Sequence, residues 1–193
     1  MDTWVWIVIA AAVVVAIVLL AMWAANRKKR TSQLQEGFGP EYDRTVEERG
    51  SRRKAESELT DREKRREELD IRPLAPGARD RFADRWRTVQ ERFVDDPNGA
   101  VGDAHKLVIE VMRERGYPTD DFEQRVGDIS VDHPHVAEHY RAAHGVAVAR
   151  ERGEANTEDL RQSLVHYRSL FAELLETEEH EPVDATSTRS LTS

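Results

Sequence analysis

The sequence predicts an all-α chain: an N-terminal transmembrane helix, a charged helical stalk, and an antiparallel helical bundle of four to five helices. Three observations predict it. An uncharged apolar run fills Thr3 to Ala25, charged residues of both signs dominate Glu41 to Asp70, and apolar stripes of helical period recur from Ala78 to Leu174 with no alternation of strand type. The expected organisation is an anchor over residues 1–26, a basic juxtamembrane segment with a Gly/Pro joint over 27–40, a stalk over 41–73, a bundle over 74–176 and a disordered tail over 177–193.

The anchor comes first. At about 1.5 Å per residue, a helix from Thr3 to Ala25 is roughly 34 Å long, slightly more than a hydrocarbon core of ~30 Å. Trp4, Trp6 and Trp23 stand near its ends, where an indole keeps its ring in the headgroup zone and its N–H wet. A secretory signal would place positive charge before a shorter apolar run and small residues at a cleavage site. Here only Asp2 precedes the run, and Met22 with Trp23 spoils an Ala-x-Ala exit. Arg27, Lys28, Lys29 and Arg30 all follow it. The positive-inside rule then places the N-terminus outside and the remainder in the cytoplasm, as a single-pass protein of the inner (plasma) membrane. The basic block is at minimum a stop-transfer flank, and attraction to anionic lipid adds on the order of 1 kcal/mol per basic residue.

Composition narrows the function classes. The chain has 193 residues and no cysteine, which excludes a disulfide scaffold, a cysteine nucleophile and a thiolate metal site. Residues 1–72 carry 14 basic and 13 acidic side chains, whereas residues 73–193 carry 15 basic and 24 acidic ones, so the net charge of −8 belongs to the second part. An acidic folded part argues against nucleic acid as a partner, because phosphate contacts need a basic surface.

After the span, Gly37, Gly39 and Pro40 predict a flexible joint. From Glu41 to Asp70, the acid-before-base pairs Glu48 with Arg52, Glu58 with Arg62, and Asp61 with Arg65 support a helix. Tyr42, Val46, Leu59 and Leu69 keep no heptad register. This leaves a solvated helical stalk, a coiled-coil dimer or a disordered segment as readings. Pro73, Pro76 and Gly77 end it.

The bundle follows. Ala78, Phe82, Trp86, Val89 and Phe93 form one stripe. Asp96 and Pro97 open a second helix with a wide apolar face of Val101, Ala104, Leu107, Val108, Val111 and Met112, closed at Gly116. A short third helix turns Phe122, Val126 and Ile129 inward, and a fourth from Pro134 carries Val136, Tyr140, Ala143, Ala147 and Val148. Asn156 or Thr157 caps the fifth, whose Leu160, Leu164, Tyr167, Phe171 and Leu174 step by helical spacing. About 100 residues of this kind can bury a core without metals or disulfides. Beyond Glu176 no apolar periodicity remains, so a disordered tail is expected.

The segments WRTVQERFVDDPNGAVGDAHKLVIEVMRERGYP, SVDHPHVAEHYRAAH and TEDLRQSLVHYRSLFAELL, within Trp86 to Leu175, resemble an uncharacterised family of bacterial single-span membrane proteins with a C-terminal helical domain. The resemblance implies a bacterial origin and carries over no activity and no functional residue.

The main chemical candidate is VDHPHVAEHYRAAH, where His135 and His139 have the i, i+4 spacing that lets two imidazoles meet one metal. Asp132, His133, Glu138 and His144 lie nearby in sequence, but no HExxH order is present. Asp132 as a helix cap, Pro134 in the first turn and histidines on a partly exposed face explain the same residues without a metal. His105 and His166 are expected at helix surfaces or edges. Ser163 and Ser169 lie in no GxSxG elbow, and no phosphate-binding Gly-rich loop is present. The expected function is therefore non-enzymatic, without a cofactor: a membrane-anchored interaction or scaffold module that meets the bilayer through its span and a protein partner through its acidic bundle. The alternative is a metal-dependent or hydrolytic enzyme with a site around His135 and His139.

Overall fold

A computed structural model describes residues 3–75 and 77–176, with side chains omitted at residues 3 and 5–11. Among the described residues the chain is all-α, with eight helices and no strand: α1 (Thr3–Phe38), α2 (Pro40–Arg49), α3 (Arg52–Glu68), α4 (Ala78–Asp95), α5 (Pro97–Glu114), α6 (Phe122–Asp132), α7 (Pro134–Glu151) and α8 (Thr157–Glu176). The tail expected to be disordered, 177–193, lies outside the described residues. Two compact units divide the helices. The first holds α1 to α3 with Ser130–His135, and the second holds Leu69–Ile129 with the chain from Val136 onward.

In the first unit, the expected solvated stalk is replaced by a packed arrangement. Helix α1 runs through Gly37 to Phe38, the chain turns at Gly39 with φ 47°, and Pro40 opens α2. A second turn follows at Gly50, which caps α2 in the left-handed conformation that glycine adopts without a Cβ penalty. Leu34 and Phe38 of α1, Tyr42 of α2 and Leu59 of α3 are buried together, with Val46 and Val131 packed against them. Of the apolar residues that keep no register along one helix, Tyr42, Val46 and Leu59 thus converge once the chain has turned twice, together with Leu34 and Phe38 of α1. Glu48 and Arg52 stand on opposite sides of the Gly50 turn, so they do not form the expected pair within one helix. Glu58 and Arg62 do, at 2.6 Å.

The unit also buries charge. Arg62 donates to Glu41 at 2.8 Å and to Ser130 Oγ at 3.4 Å, and Thr45 donates to the Glu41 carbonyl at 2.7 Å. Tyr42 and Thr31 both donate to Glu56, at 3.1 and 2.8 Å, which ties α1, α2 and α3 through one carboxylate. Burial and Glu56 push the Tyr42 phenol up.

The second unit has its own core, in which the expected stripes point inward. Ala78, Phe82, Trp86 and Val89 of α4 meet Val101, Ala104, Leu107, Val108, Val111 and Met112 of α5, with Val126 and Ile129, the α7 residues Val136, Tyr140 and Ala143, and Leu160, Tyr167, Phe171 and Leu174 of α8. Trp86 stacks on Phe171 with ring centroids 4.8 Å apart. Asp96 caps α5 by accepting from Gly99 N at 2.9 Å, which with Arg92 holds its carboxyl below the usual range. Asn156 accepts from Glu158 N and Asp159 N at 2.8 and 3.1 Å at the start of α8.

Candidate functional site

The first candidate feature is the amino-terminal part of α1. Val13, Val14, Val15, Ile17, Val18, Leu19, Leu20 and Met22 are each half exposed or more, and Trp4 and Trp23 are 70 and 62 % exposed. Consecutive helical residues point in all directions, so this surface is apolar on every side. The change along the helix is abrupt, since Leu34 and Phe38 of the same helix are buried. Between these stretches lie Arg27, Lys28, Lys29 and Arg30, all exposed. The Arg27 guanidinium lies 5.6 Å from the Trp23 ring centroid, while Arg30 donates to Glu63 at 2.6 Å and Thr60 at 3.3 Å. The side chains of residues 3 and 5–11, Trp6 among them, lie outside the described residues. Among the described residues no helix is long and apolar enough to cross a membrane.

The histidines fall in both units. His135 is exposed and belongs to the first unit, 3.9 Å from where a Cβ on Gly39 would stand. His139 lies in the second unit, where the imidazole that meets it is not His135 but His166 of α8. Their Nδ1 atoms are 3.0 Å apart and their rings stack at 28° with centroids at 5.1 Å. A hydrogen bond between two such nitrogens requires a proton on one and a lone pair on the other. Burial and then the His139 ring push the His166 imidazole down. No group of three or more His, Asp or Glu side chains among the described residues could hold a metal ion.

A second polar cluster, in the second unit, was not evident from local spacing. His105, expected at a helix surface or edge, is half-buried, and its Nδ1 shares a hydrogen bond of 2.9 Å with the Tyr167 hydroxyl. Its imidazole is pushed down to about 4, first by burial and then by His144, Arg125 and Arg150. His144 stacks on Phe122 with centroids 3.7 Å apart, and burial followed by Arg125 pushes its imidazole down as well. Burial pushes the Tyr167 phenol up. Around neutral pH the cluster therefore holds neutral imidazoles beside a protonated phenol.

Helical spacing carries a trace of this arrangement. His105 is i+4 from Val101 and i−3 from Val108, and His144 stands likewise between Tyr140 and Ala147, so both belong to the buried stripes of their helices. Which aromatic residue each one meets depends on contacts distant in sequence. Neither serine in this region stands against an imidazole acting as base: Ser163 donates to the Ala143 carbonyl at 3.3 Å and Ser169 to the Val165 carbonyl at 3.4 Å.

Next to this cluster a cleft of about 430 Å³ opens between the beginning of α5 and the end of α7, with His105, Lys106, His144 and Arg150 in its wall. Arg92 at its edge donates to Asp96 at 2.7 Å and is also paired with Asp103, so its charge is compensated twice. Compared with protein-family models, with curated proteins and with solved structures, the chain matches none.

Proposed function

We propose that the chain is a single-span membrane anchor that presents its acidic helical part on the cytoplasmic side as a docking module for a protein partner. The apolar surface of α1 supports this reading most directly. Fully burying a Val, Leu or Ile contributes about 1.5–3 kcal/mol, so the exposed residues from Val13 to Met22 leave on the order of 10 kcal/mol or more unrealised in water. A lipid environment covers such a surface on all sides, which a single protein groove does not. The uncharged run of the sequence also includes residues 5–11 and, taken whole, has the length of a hydrocarbon core. Trp23 and the Arg27–Arg30 block then sit where an interface and an anionic cytoplasmic leaflet favour them.

Leu34 and Phe38 are buried against α2 and α3 only a few residues after the basic block, so the first unit packs close to where the span would leave the bilayer rather than forming an extended stalk. Tethering raises the effective concentration of the module for partners at the same membrane. The excess of acidic residues after residue 72 favours a basic partner surface and an association rate that falls with added salt.

The test of anchoring is extraction of cell membranes at alkaline pH. The full chain should stay in the pellet, and the double variant Val15→Asp, Leu19→Arg should move to the supernatant with its helical content retained. Full-length protein released by the alkaline wash would overturn the anchor.

A further inference from the structure

We infer that the cleft between the start of α5 and the end of α7 binds a small oxyanion, a carboxylate or phosphate group on a freely diffusing molecule. This site is independent of the membrane reading and lies wholly within the second unit.

The volume, about 430 Å³, falls in the range of roughly 300–1,000 Å³ that small-molecule sites occupy. Its chemistry is set by Arg150. The Nη1 of this side chain donates to the Asn98 carbonyl at 2.8 Å, which fixes the guanidinium, but its Nε is buried without a hydrogen-bonding partner. The nearest carboxylate is that of the adjacent Glu151, 4.0 Å away on an exposed side chain. A buried N–H left without an acceptor is costly in a folded protein, and a guanidinium edge has the geometry to satisfy two oxygens of a carboxylate or phosphate at once.

The second group is His144. Its Nδ1 is also buried without a partner, and stacking on Phe122 holds the ring in place. A neutral imidazole can present that nitrogen as a donor. Gly102 lets the guanidinium approach α5 closely, since a Cβ there would stand 2.8 Å from Arg150 Nη1. Three cations, Arg92, Lys106 and Arg150, face two carboxylates, Asp103 and Glu151, in the wall. Asp103 is paired with Arg92 and lies 3.9 Å from Lys106, so among the described residues Arg150 has only the exposed Glu151 carboxylate, at 4.0 Å, to offset its charge. Within an acidic part of the chain this is a local positive site with two unfilled hydrogen-bonding positions.

The experiment uses the full chain in detergent micelles, with histidine side chains isotopically labelled. Sodium phosphate and sodium malonate are titrated separately while sodium chloride holds the ionic strength constant. The expected result is a saturable shift of the His144 imidazole signals with at least one of the two probes, at millimolar or lower concentration. Arg150→Gln should weaken the response at least tenfold, and Gly102→Ala should weaken it as well. Arg87→Gln, an exposed arginine paired with Asp84 on α4, should leave it unchanged. If Arg150→Gln loses its helical content, Arg150→Lys carries the test, because it keeps the charge and removes the two-pronged edge. Absence of saturation by about 10 mM of either probe, well above a millimolar-class dissociation constant, overturns the proposal. So does an unchanged response in a folded Arg150 variant.

Discussion

The Arg62 guanidinium donates to Glu41 at 2.8 Å inside the first unit, and the Glu41 side chain is only 2 % exposed. The pair joins α3 to the first turn of α2, and Arg62 donates also to Glu58 and Ser130. Breaking a buried pair by removing one partner costs about 3–5 kcal/mol when the other charge is left alone; Arg62 keeps Glu58, so the loss of Glu41 should cost less than that, whereas replacing both with apolar residues of similar volume is often neutral or favourable. Glu41→Ala should therefore markedly reduce amide-exchange protection in α2 and α3, and the double variant Glu41→Met, Arg62→Leu should recover most of it. Equal protection in the wild type and in Glu41→Ala would show that the pair is not what holds α2 against α3.

Trp86 and Phe171 offer the corresponding test in the second unit. Their rings stack at 20° with centroids 4.8 Å apart, both are buried, and they join α4 to α8. Truncating an aromatic core residue costs about 3–5 kcal/mol. Phe171→Ala should lower the thermal midpoint by many degrees and red-shift the Trp86 emission as water reaches the ring, read in a background where Trp4, Trp6 and Trp23 are replaced by Phe. Phe171→Leu should lose less than half as much. An unchanged Trp86 spectrum in Phe171→Ala would rule out the stack.

These two contacts also show what was legible in the sequence. The stripe containing Phe82, Trp86 and Val89, and that containing Leu160, Tyr167, Phe171 and Leu174, could be read because a helix with one apolar face must bury it. That Trp86 chooses Phe171 depends on residues far apart in sequence, which periodicity does not encode. The first unit was harder to read for a different reason. Glu41 and Arg62 look in sequence like any solvated pair of opposite charges, and the small core of Leu34, Phe38, Tyr42 and Leu59 is spread over three helices with one or two members each. Gly39 with Pro40 marked the first turn, but Gly50 at the second stood within a run whose charges favour continuous helix. The His105–Tyr167 bond was hidden in the same way: the helical face of each residue was legible, but not the partner.

His105 makes the second unit sensitive to acid. In the folded chain its imidazole is pushed down to about 4, mainly by burial, against an ordinary value of 6.5 in an unfolded chain. Above pH 6.5 both states are neutral at this site and it contributes no pH dependence. As pH falls from 6.5 toward 4 the unfolded chain takes up a proton that the folded one does not, so stability declines across that window and levels off below it. His105→Phe should flatten this part of the profile, measured as the thermal midpoint of the full chain between pH 7 and pH 4. Tyr167→Phe, which removes the hydroxyl bonded to Nδ1, should cost about 1 kcal/mol at pH 7. A profile in which His105→Phe and the wild type decline in parallel would show that the buried imidazole is not the group responsible.

The proposed anchor carries a prediction of its orientation. Arg27, Lys28, Lys29 and Arg30 succeed the apolar run, so under the proposed anchoring the stretch after it should stay in the cytoplasm. A reporter enzyme active only in the periplasm should be inactive when fused after Leu175, and a reporter that requires the cytoplasm should work at the same position. Replacing Arg27 to Arg30 by Gln and inserting Lys residues after Met1 reverses the charge bias and should shift a measurable fraction of molecules to the opposite orientation. The substitution also removes the Arg30 contacts with Glu63 and Thr60, but these side chains are solvent-accessible, and such pairs contribute about 0–1 kcal/mol. A folding defect from their loss should therefore be small beside the topological effect. Strong periplasmic activity from the unmodified fusion would reverse the assigned topology and place the acidic module, with any partner it docks, on the outer face.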